Sequence, residues 1–336
     1  MKGVFLLMKK TVKKLFCLVL CLALVFSLAG CAKINYVTNG TIQAIKEVKD
    51  GSWEEDDTEE ETDSTTEDSS DDPVVIDEFV AGTYGGIEFS SLEDVVNYYV
   101  EAYNATKART AEYIQEDGTT ATFYELLGSE ELTIGAVLVE GKENSVINSL
   151  VPSLVSSLFS SSTYGLPPCA NRNPELDNNS EDELRSADYD FTTSMLTVDD
   201  VLAANVVDNG DGTITITIQP KSASMAEKGN DSQGRFFMAL GDIGATVESI
   251  SVLSWASGTT EENCVVTYSG GYGEVTINVD TGLVESAYYD MEVLIEVQHA
   301  TVTVITDKSA TVELSYIMEY PASDEYLLES KGLTRA

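Results

Sequence analysis

Few residues in this chain are equipped for chemistry, and most of those sit where no partner group completes a site. Five cysteines and one histidine are present in 336 residues. His299 lies between two alternating apolar–polar runs, which places it at a strand connection. Neither HExxH nor Gly-x-Ser-x-Gly occurs, so the histidine has no metal-binding or nucleophile partner within a motif. No GxGxxG or GxxxxGK[ST] cradle is present. Gly270-Gly271-Tyr272-Gly273 lies between Val265-Val266 and Val275–Ile277 and is expected to turn a hairpin. The stretch Asp208–Thr213 has the acids of a calcium loop. However, Gly210 and Gly212 occupy ligand positions, and no bidentate Glu closes the loop at its twelfth place. Acids are plentiful, so a glycosidase-type carboxylate pair is one route to catalysis. It would need a cleft that holds the two groups about 5–10 Å apart. Trp255 is the only tryptophan after residue 78, whereas sugar-processing clefts stack rings on several aromatics. Of the thiols, Cys31 stands out because Ala29 and Gly30 precede it directly. Small residues there let an extended backbone enter a peptidase cleft.

The element that positions Cys31 is an N-terminal targeting signal. Lys9, Lys10, Lys13 and Lys14 precede an apolar run from Leu15 to Ala29. That run is shorter than the roughly 20 residues a membrane span needs, but it suits a secretory signal. Met8 begins a more typical signal than Met1, so translation from either start is compatible with the pattern. The tetrapeptide Leu28-Ala29-Gly30-Cys31 resembles the lipobox of bacterial lipoproteins. That resemblance implies diacylglyceration of the Cys31 thiol and cleavage that makes Cys31 the first residue. It also implies a protein held on the extracytoplasmic face of the cell membrane by the lipid on Cys31. The alternative is an ordinary cleaved signal with a chance cysteine at its end.

Charge narrows the partners. Removing residues 1–30 takes away five of the 19 bases and none of the 57 acids, which leaves −43. Such a chain repels nucleic acid, whose binding rests on Lys and Arg neutralising phosphate. It also repels an anionic bilayer, so anchoring would fall to the lipid, and two acyl chains suffice for that. Nothing in the sequence calls for a cofactor or a metal.

The expected domains are a signal over residues 1–30, an acidic disordered stalk over 31–78, and one globular domain over 79–336. Asp50–Asp72 holds 13 acids, no base, and Trp53 as its one large apolar side chain. It cannot bury enough apolar surface to offset the entropy of ordering. A coil of 47 residues reaches roughly 40 Å. Pro73 ends the stalk, and ordered structure begins near Val74-Val75-Ile76 or shortly after.

Ser90, with Glu93 three residues on, reads as a capping box. The helix after it, Leu92 to about Arg109, sets Leu92, Val95, Val96, Tyr99, Ala102 and Tyr103 on one face. Strands are expected over Thr120–Leu127 and Leu132–Val139. A second helix near Asn144 would carry Val146, Ile147, Leu150, Val151, Leu154, Val155 and Leu158 as an apolar stripe. There is no charge from Ser145 to Tyr164. Such a helix is either a core element or the wall of an apolar ligand cavity formed by Ile147, Leu150, Val151, Leu154 and Leu158. Residues 165–190 form a polar loop, and Thr197 caps a helical turn through Leu202.

Ile214, Ile216 and Ile218 alternate with threonines in a strand entered through a turn at Asp208–Gly212. Ser232 to about Leu253 has a loose helical pattern. Cys264–Tyr320 reads as a β-meander with turns at Asp280–Gly282, Gln298–Ala300 and Asp307-Lys308. Cys169 and Cys264 could form a disulfide in an oxidising compartment. It would close a loop of about 95 residues, worth about 4.7 kcal/mol in the chain-entropy model. Two separate buried thiols are the alternative.

These elements predict an α+β fold, a mostly antiparallel sheet ending in a C-terminal meander and packed with two or three helices. Their order loosely resembles lipoprotein carriers of the LolA/LppX kind, in which a curved sheet wraps helices around an apolar cavity. The sequence therefore favours a non-catalytic lipoprotein that binds an apolar small molecule or a cell-envelope partner. A carboxylate-based hydrolase and a structural or adhesive surface protein are the competing classes.

Overall fold

Alternating apolar and polar side chains make strands, and most of this chain alternates. The computed structural model describes residues 72–143, 148, 165–167, 194–226, 230–237, 247–248, 250, 253–302 and 305–336. A hairpin of β1 (Gly82–Tyr84) and β2 (Ile87–Phe89) leads into helix α1 (Leu92–Lys107). Strands β3 (Thr110–Gln115), β4 (Thr120–Tyr124), β5 (Ser129–Val139) and β6 (Lys142–Glu143) follow. Beyond the next described residues, a 3-10 turn at Val198–Asp200 opens β7 (Val201–Asp208). Then come β8 (Thr213–Pro220), β9 (Ala223–Ser224), α2 (Ser232–Phe236), β10 (Leu253–Trp255) and α3 (Thr260–Asn263). Strands β11 (Cys264–Tyr268), β12 (Tyr272–Asn278), β13 (Leu283–Val302) and β14 (Ile305–Tyr320) build the meander. Helix α4 (Asp324–Lys331) and β15 (Leu333–Arg335) close the chain. The fold is α+β, mainly antiparallel sheet with few helices.

The principal sheet has ten strands, ordered β6-β5-β14-β13-β12-β8-β7, with β9, β10 and β11 off that path. Its spine is the long β13–β14 hairpin, in register from Ala287↔Tyr320 to Val302↔Ile305 with two bulges. One face of the spine is apolar and buried: Ala287, Tyr289, Met291, Val293 and Ile295 on β13, with Leu314, Tyr316, Met318 and Tyr320 on β14. Ile214, Ile216, Ile218, Val275 and Ile277 extend that face. Helix α1 lies on it through Val95, Val96, Tyr99, Ala102 and Tyr103, the stripe expected from its spacing. Its N-cap is Ser91 with Asp94, one residue later than Ser90 and Glu93, because the Ser91 hydroxyl reaches the Asp94 amide. At the other end, Thr106 Oγ1 accepts from the Val284 amide at 2.8 Å and ties the helix to β13.

A smaller sheet, β15-β3-β4, packs with α4 around Tyr113, Tyr124, Leu127, Leu327 and Leu333. The Asp117-Gly118 turn joins β3 to β4. Strand β3, α4 and the β1–β2 hairpin had no strong sequence signal, being short or weakly patterned.

Two connections depart from expectation. Gly270 and Gly271 do not turn a hairpin. Both β11 and β12 run antiparallel to β13, against Val293–Val297 and Leu283–Asp290 respectively, so together they form one interrupted line. β8 and β9 repeat the break one strand over, since β8 pairs with β12 and β9 with β11. Gln298–Ala300 is likewise no turn. The strand continues through it to Val302, and His299 sits at φ 51° in a bulge. The alternation rule missed this because a bulge shifts the side-chain phase without ending the strand.

The ordered unit starts earlier than residue 79. Asp72 accepts from the Ser222 amide and hydroxyl at 2.9 and 2.7 Å. Gln219, fully buried, donates to the Pro73 carbonyl and accepts from the Val75 amide. Residues 72–75 are thus pinned to the end of β8, and Thr213, Thr217 and Gln219, which alternate with its isoleucines, are buried as well. The signal, Cys31, the stalk through residue 71, and the uncharged helix lie outside the described residues, apart from Asn148. The expected Ser232–Leu253 helix is described chiefly as the short α2, and Leu253 already belongs to β10.

Candidate functional site

Period two along β13 sends Tyr289, Met291 and Val293 inward and Tyr288, Asp290, Glu292 and Leu294 to the opposite, outer face. The register then fixes their neighbours. Across the sheet, Glu131 (β5), Ile317 (β14), Asp290 (β13) and Tyr272 (β12) form one row. Thr133, Ser315 and Glu292 form the next. On the other side lie Ser129, Glu319, Tyr288, Glu274 and Thr217. These rows contain no Lys or Arg.

Asp290 Oδ1 accepts from Ser315 Oγ at 2.7 Å, and Oδ2 accepts from the Tyr288 hydroxyl at 3.5 Å. Asp290 and Glu292, two residues apart on the strand, share this face. Partial burial raises both groups, and the adjacent Asp290 charge raises Glu292 further, to about 8. Asp290 accepts from Ser315 and Tyr288, so Glu292 is the one of the two that keeps its proton to higher pH.

The rings of Tyr272 and Tyr288 lie 6.1 Å apart at 45°. Burial, with Glu274, Asp290 and Glu292 nearby, raises the Tyr272 phenol. Burial and Asp290 raise that of Tyr288.

Gly271 makes this arrangement possible. A Cβ on it would lie 2.6 Å from the Asp290 carbonyl oxygen and 3.0 Å from the Glu292 amide nitrogen. Only glycine lets the break between β11 and β12 press against β13 here and deliver Tyr272 beside Asp290.

The inner face is filled instead. Tyr99 and Tyr289 share a hydroxyl–hydroxyl hydrogen bond of 3.0 Å. Phe236 packs on Tyr99, Phe237 and Tyr289 with centroids 5.8, 4.8 and 5.5 Å away. Lys107, also buried, donates to the Leu166 carbonyl at 2.7 Å and lies 4.8 Å from the centre of the Tyr124 ring. The Tyr320 hydroxyl donates to the Gly165 carbonyl at 2.8 Å. These polar groups clamp residues 165–167 in place. Arg235 donates to both oxygens of the buried Asp200, which also accepts from Thr197.

The residues singled out by sequence are scattered. Cys264 is a buried, free thiol whose pKa burial raises, and its expected partner Cys169 lies outside the described residues. Cys31 and the stripe residues Ile147, Leu150, Val151, Leu154 and Leu158 lie outside them as well. Asp208 and Asp211 spend their carboxylates on the Gly85, Gly210 and Thr213 amides as turn caps. His299 Nδ1 meets the exposed Asp307 at 2.8 Å. Trp255 donates to Thr260 Oγ1. No group of three or more His, Cys, Asp or Glu side chains able to hold a metal occurs among the described residues. No helix among them is long and apolar enough to cross a membrane.

Sequence reasoning missed the Tyr272–Tyr288–Asp290–Glu292 group. Its signal was the polar half of the same alternation that identified the strand. Compared with known proteins, the chain matches no family model, no curated protein and no solved structure.

Proposed function

We propose that this protein is a non-catalytic, extracytoplasmic lipoprotein, tethered through a diacylglyceryl group on Cys31, that binds a cell-envelope partner with the outer face of its large sheet. The observation that carries the reading is the outer face itself. It holds two neighbouring tyrosines and two carboxyls, Asp290 and Glu292, that face away from the core. Tyrosine is enriched at binding surfaces because it offers a rigid apolar body and a polar tip. An apolar cargo has less support, since the described inner face is closed by α1 and packed rings.

Two measurements test this. Cys31→Ser should abolish lipid attachment and detergent partitioning, and unchanged partitioning would refute the tether. Tyr272 and Tyr288 should be protected from iodination in intact envelopes relative to the purified chain. Equal labelling would mean that the face is unoccupied and the binding reading is wrong.

The Asp290–Glu292 pair gives one reason to keep a hydrolase in view, because paired carboxyls at split pKa values are acid–base machinery. Hydrolysis of a peptide or glycan that Asp290→Asn abolishes would establish the catalytic reading over the binding one.

A further inference from the structure

We infer that the outer face docks a basic polypeptide segment of its partner, with arginine side chains stacked on Tyr272 and Tyr288 and paired with Glu274, Asp290, Glu292 and Glu319. This rests on the reading of that face as the binding surface and adds the chemistry of what it binds.

Charge pairing separates this face from the rest of the molecule. Elsewhere Arg109, Arg235, Lys331 and Arg335 each meet a carboxylate at 2.6 to 3.2 Å. Among the described residues, no Lys or Arg forms an ion pair with Glu274, Asp290, Glu292 or Glu319. The strand register crowds these acids nonetheless. Glu274 and Glu319 flank Tyr288 in one row, and Asp290 lies diagonal to both in the next. Like charges at such neighbouring positions repel, and a cation brought by a partner turns that repulsion into attraction. The Tyr272 and Tyr288 rings, 6.1 Å apart, lie among these acids. A guanidinium can stack on an aromatic face while its fork meets a carboxylate, so rings beside acids suit arginine.

The same charge removes the main rivals. Gln219 follows Ile218, the partner of Gly273, and its side chain holds Pro73 and Val75. The stretch Asp50–Asp72, with its 13 acids, therefore joins the folded unit at the level of Tyr272. Like charge selects against that stretch as the occupant, and its acids add to the field that draws a cation. A second copy of the chain, equally acidic, is repelled as well, and so is a phosphate- or sulfate-bearing polymer.

The probe is a decapeptide of alternating arginine and serine, titrated calorimetrically into the full lipidated chain in neutral detergent at about 0.15 M salt. It should bind, and Glu274→Gln with Glu319→Gln should weaken it about tenfold or more. Glu88→Gln with Glu112→Gln, on β2 and β3 outside the large sheet, removes the same charge and should stay within about twofold of the parent. Tyr272→Ala with Tyr288→Ala should weaken binding about tenfold, whereas Tyr272→Phe with Tyr288→Phe should stay within about threefold. If the alanine variant unfolds, protection of both tyrosines from iodination by the peptide in the parent chain provides the same test. The inference is overturned by the absence of peptide binding, or by equal losses from the two glutamine pairs, which would mean diffuse attraction to an acidic chain. Binding of a β-linked glucose oligomer without the peptide would also overturn it and assign a neutral partner. Envelope protection of the tyrosines without peptide binding would sink this inference alone and leave the outer face as a binding surface.

Discussion

Tyr288 and Tyr289 are adjacent on β13, and the strand sends them to opposite fates. Tyr289 is wholly buried, hydrogen-bonded to Tyr99, and packed against Phe236, Phe237 and Tyr320. Tyr288 sits half-buried on the other face beside Tyr272 and Asp290. One side of the sheet is thus committed to stability, with rings interlocked and the Tyr99, Tyr289 and Tyr320 hydroxyls hydrogen-bonded. The other carries similar side chains only half-buried. Rings and acids held on a rigid strand are what a binding surface needs.

The comparison breaks most sharply under paired substitution. Tyr289→Ala should cost about 3–5 kcal/mol, read from denaturant unfolding, because it opens a cavity in packed aromatics and orphans the Tyr99 hydroxyl. Tyr288→Ala should cost less than about 1 kcal/mol in the same measurement. Equal losses would mean that the outer face is structural as well.

Gly271→Ala should follow, at about 1–3 kcal/mol, since a methyl there meets β13 backbone that has no free space to yield. It should also move Tyr272 away from Asp290. Retention of full stability would show that the strand break is loose and does not position the site.

The acid pair sharpens the contrast through pH. A carboxyl whose folded pKa is raised binds its proton more tightly folded than unfolded. Its contribution is therefore fully present below the unfolded value near 4.5 and is lost as pH rises towards about 8. Stability should fall over that window, and Glu292→Gln should flatten the fall. A parent whose stability rises over the same window would contradict a raised Glu292 carboxyl. The smallest effect belongs to His299→Ala, below about 0.5 kcal/mol, because the His299–Asp307 pair is exposed.

The inner face was legible in the sequence and the outer face was not, for one physical reason. Alternation marks which residues leave water, so Tyr289, Met291 and Val293 and the α1 stripe could be read directly. It also places Tyr288, Asp290 and Glu292 on one face. Their importance, however, depends on which strands flank β13, and that is set by pairings between distant segments. Tyr272 reaches Asp290 only because β11 and β12 share β13 as a partner, an arrangement that Gly270-Gly271 disguised as a hairpin. The bulge at His299 was hidden in the same way, since positive φ and a phase shift mimic a turn. The resemblance of Leu28–Cys31 to a lipobox rests on local residue types and needs no fold, whereas the site depends on strand pairing.

The most direct test of the central claim removes the proposed anchor and asks whether the outer face binds the envelope by itself. The Cys31→Ser chain, released from its lipid, should co-sediment with isolated envelopes of the source cell. The same chain with Tyr272→Ala and Tyr288→Ala should stay in solution while keeping its unfolding midpoint. Sedimentation of both chains alike, or of neither, would contradict a binding surface on the outer face of the sheet.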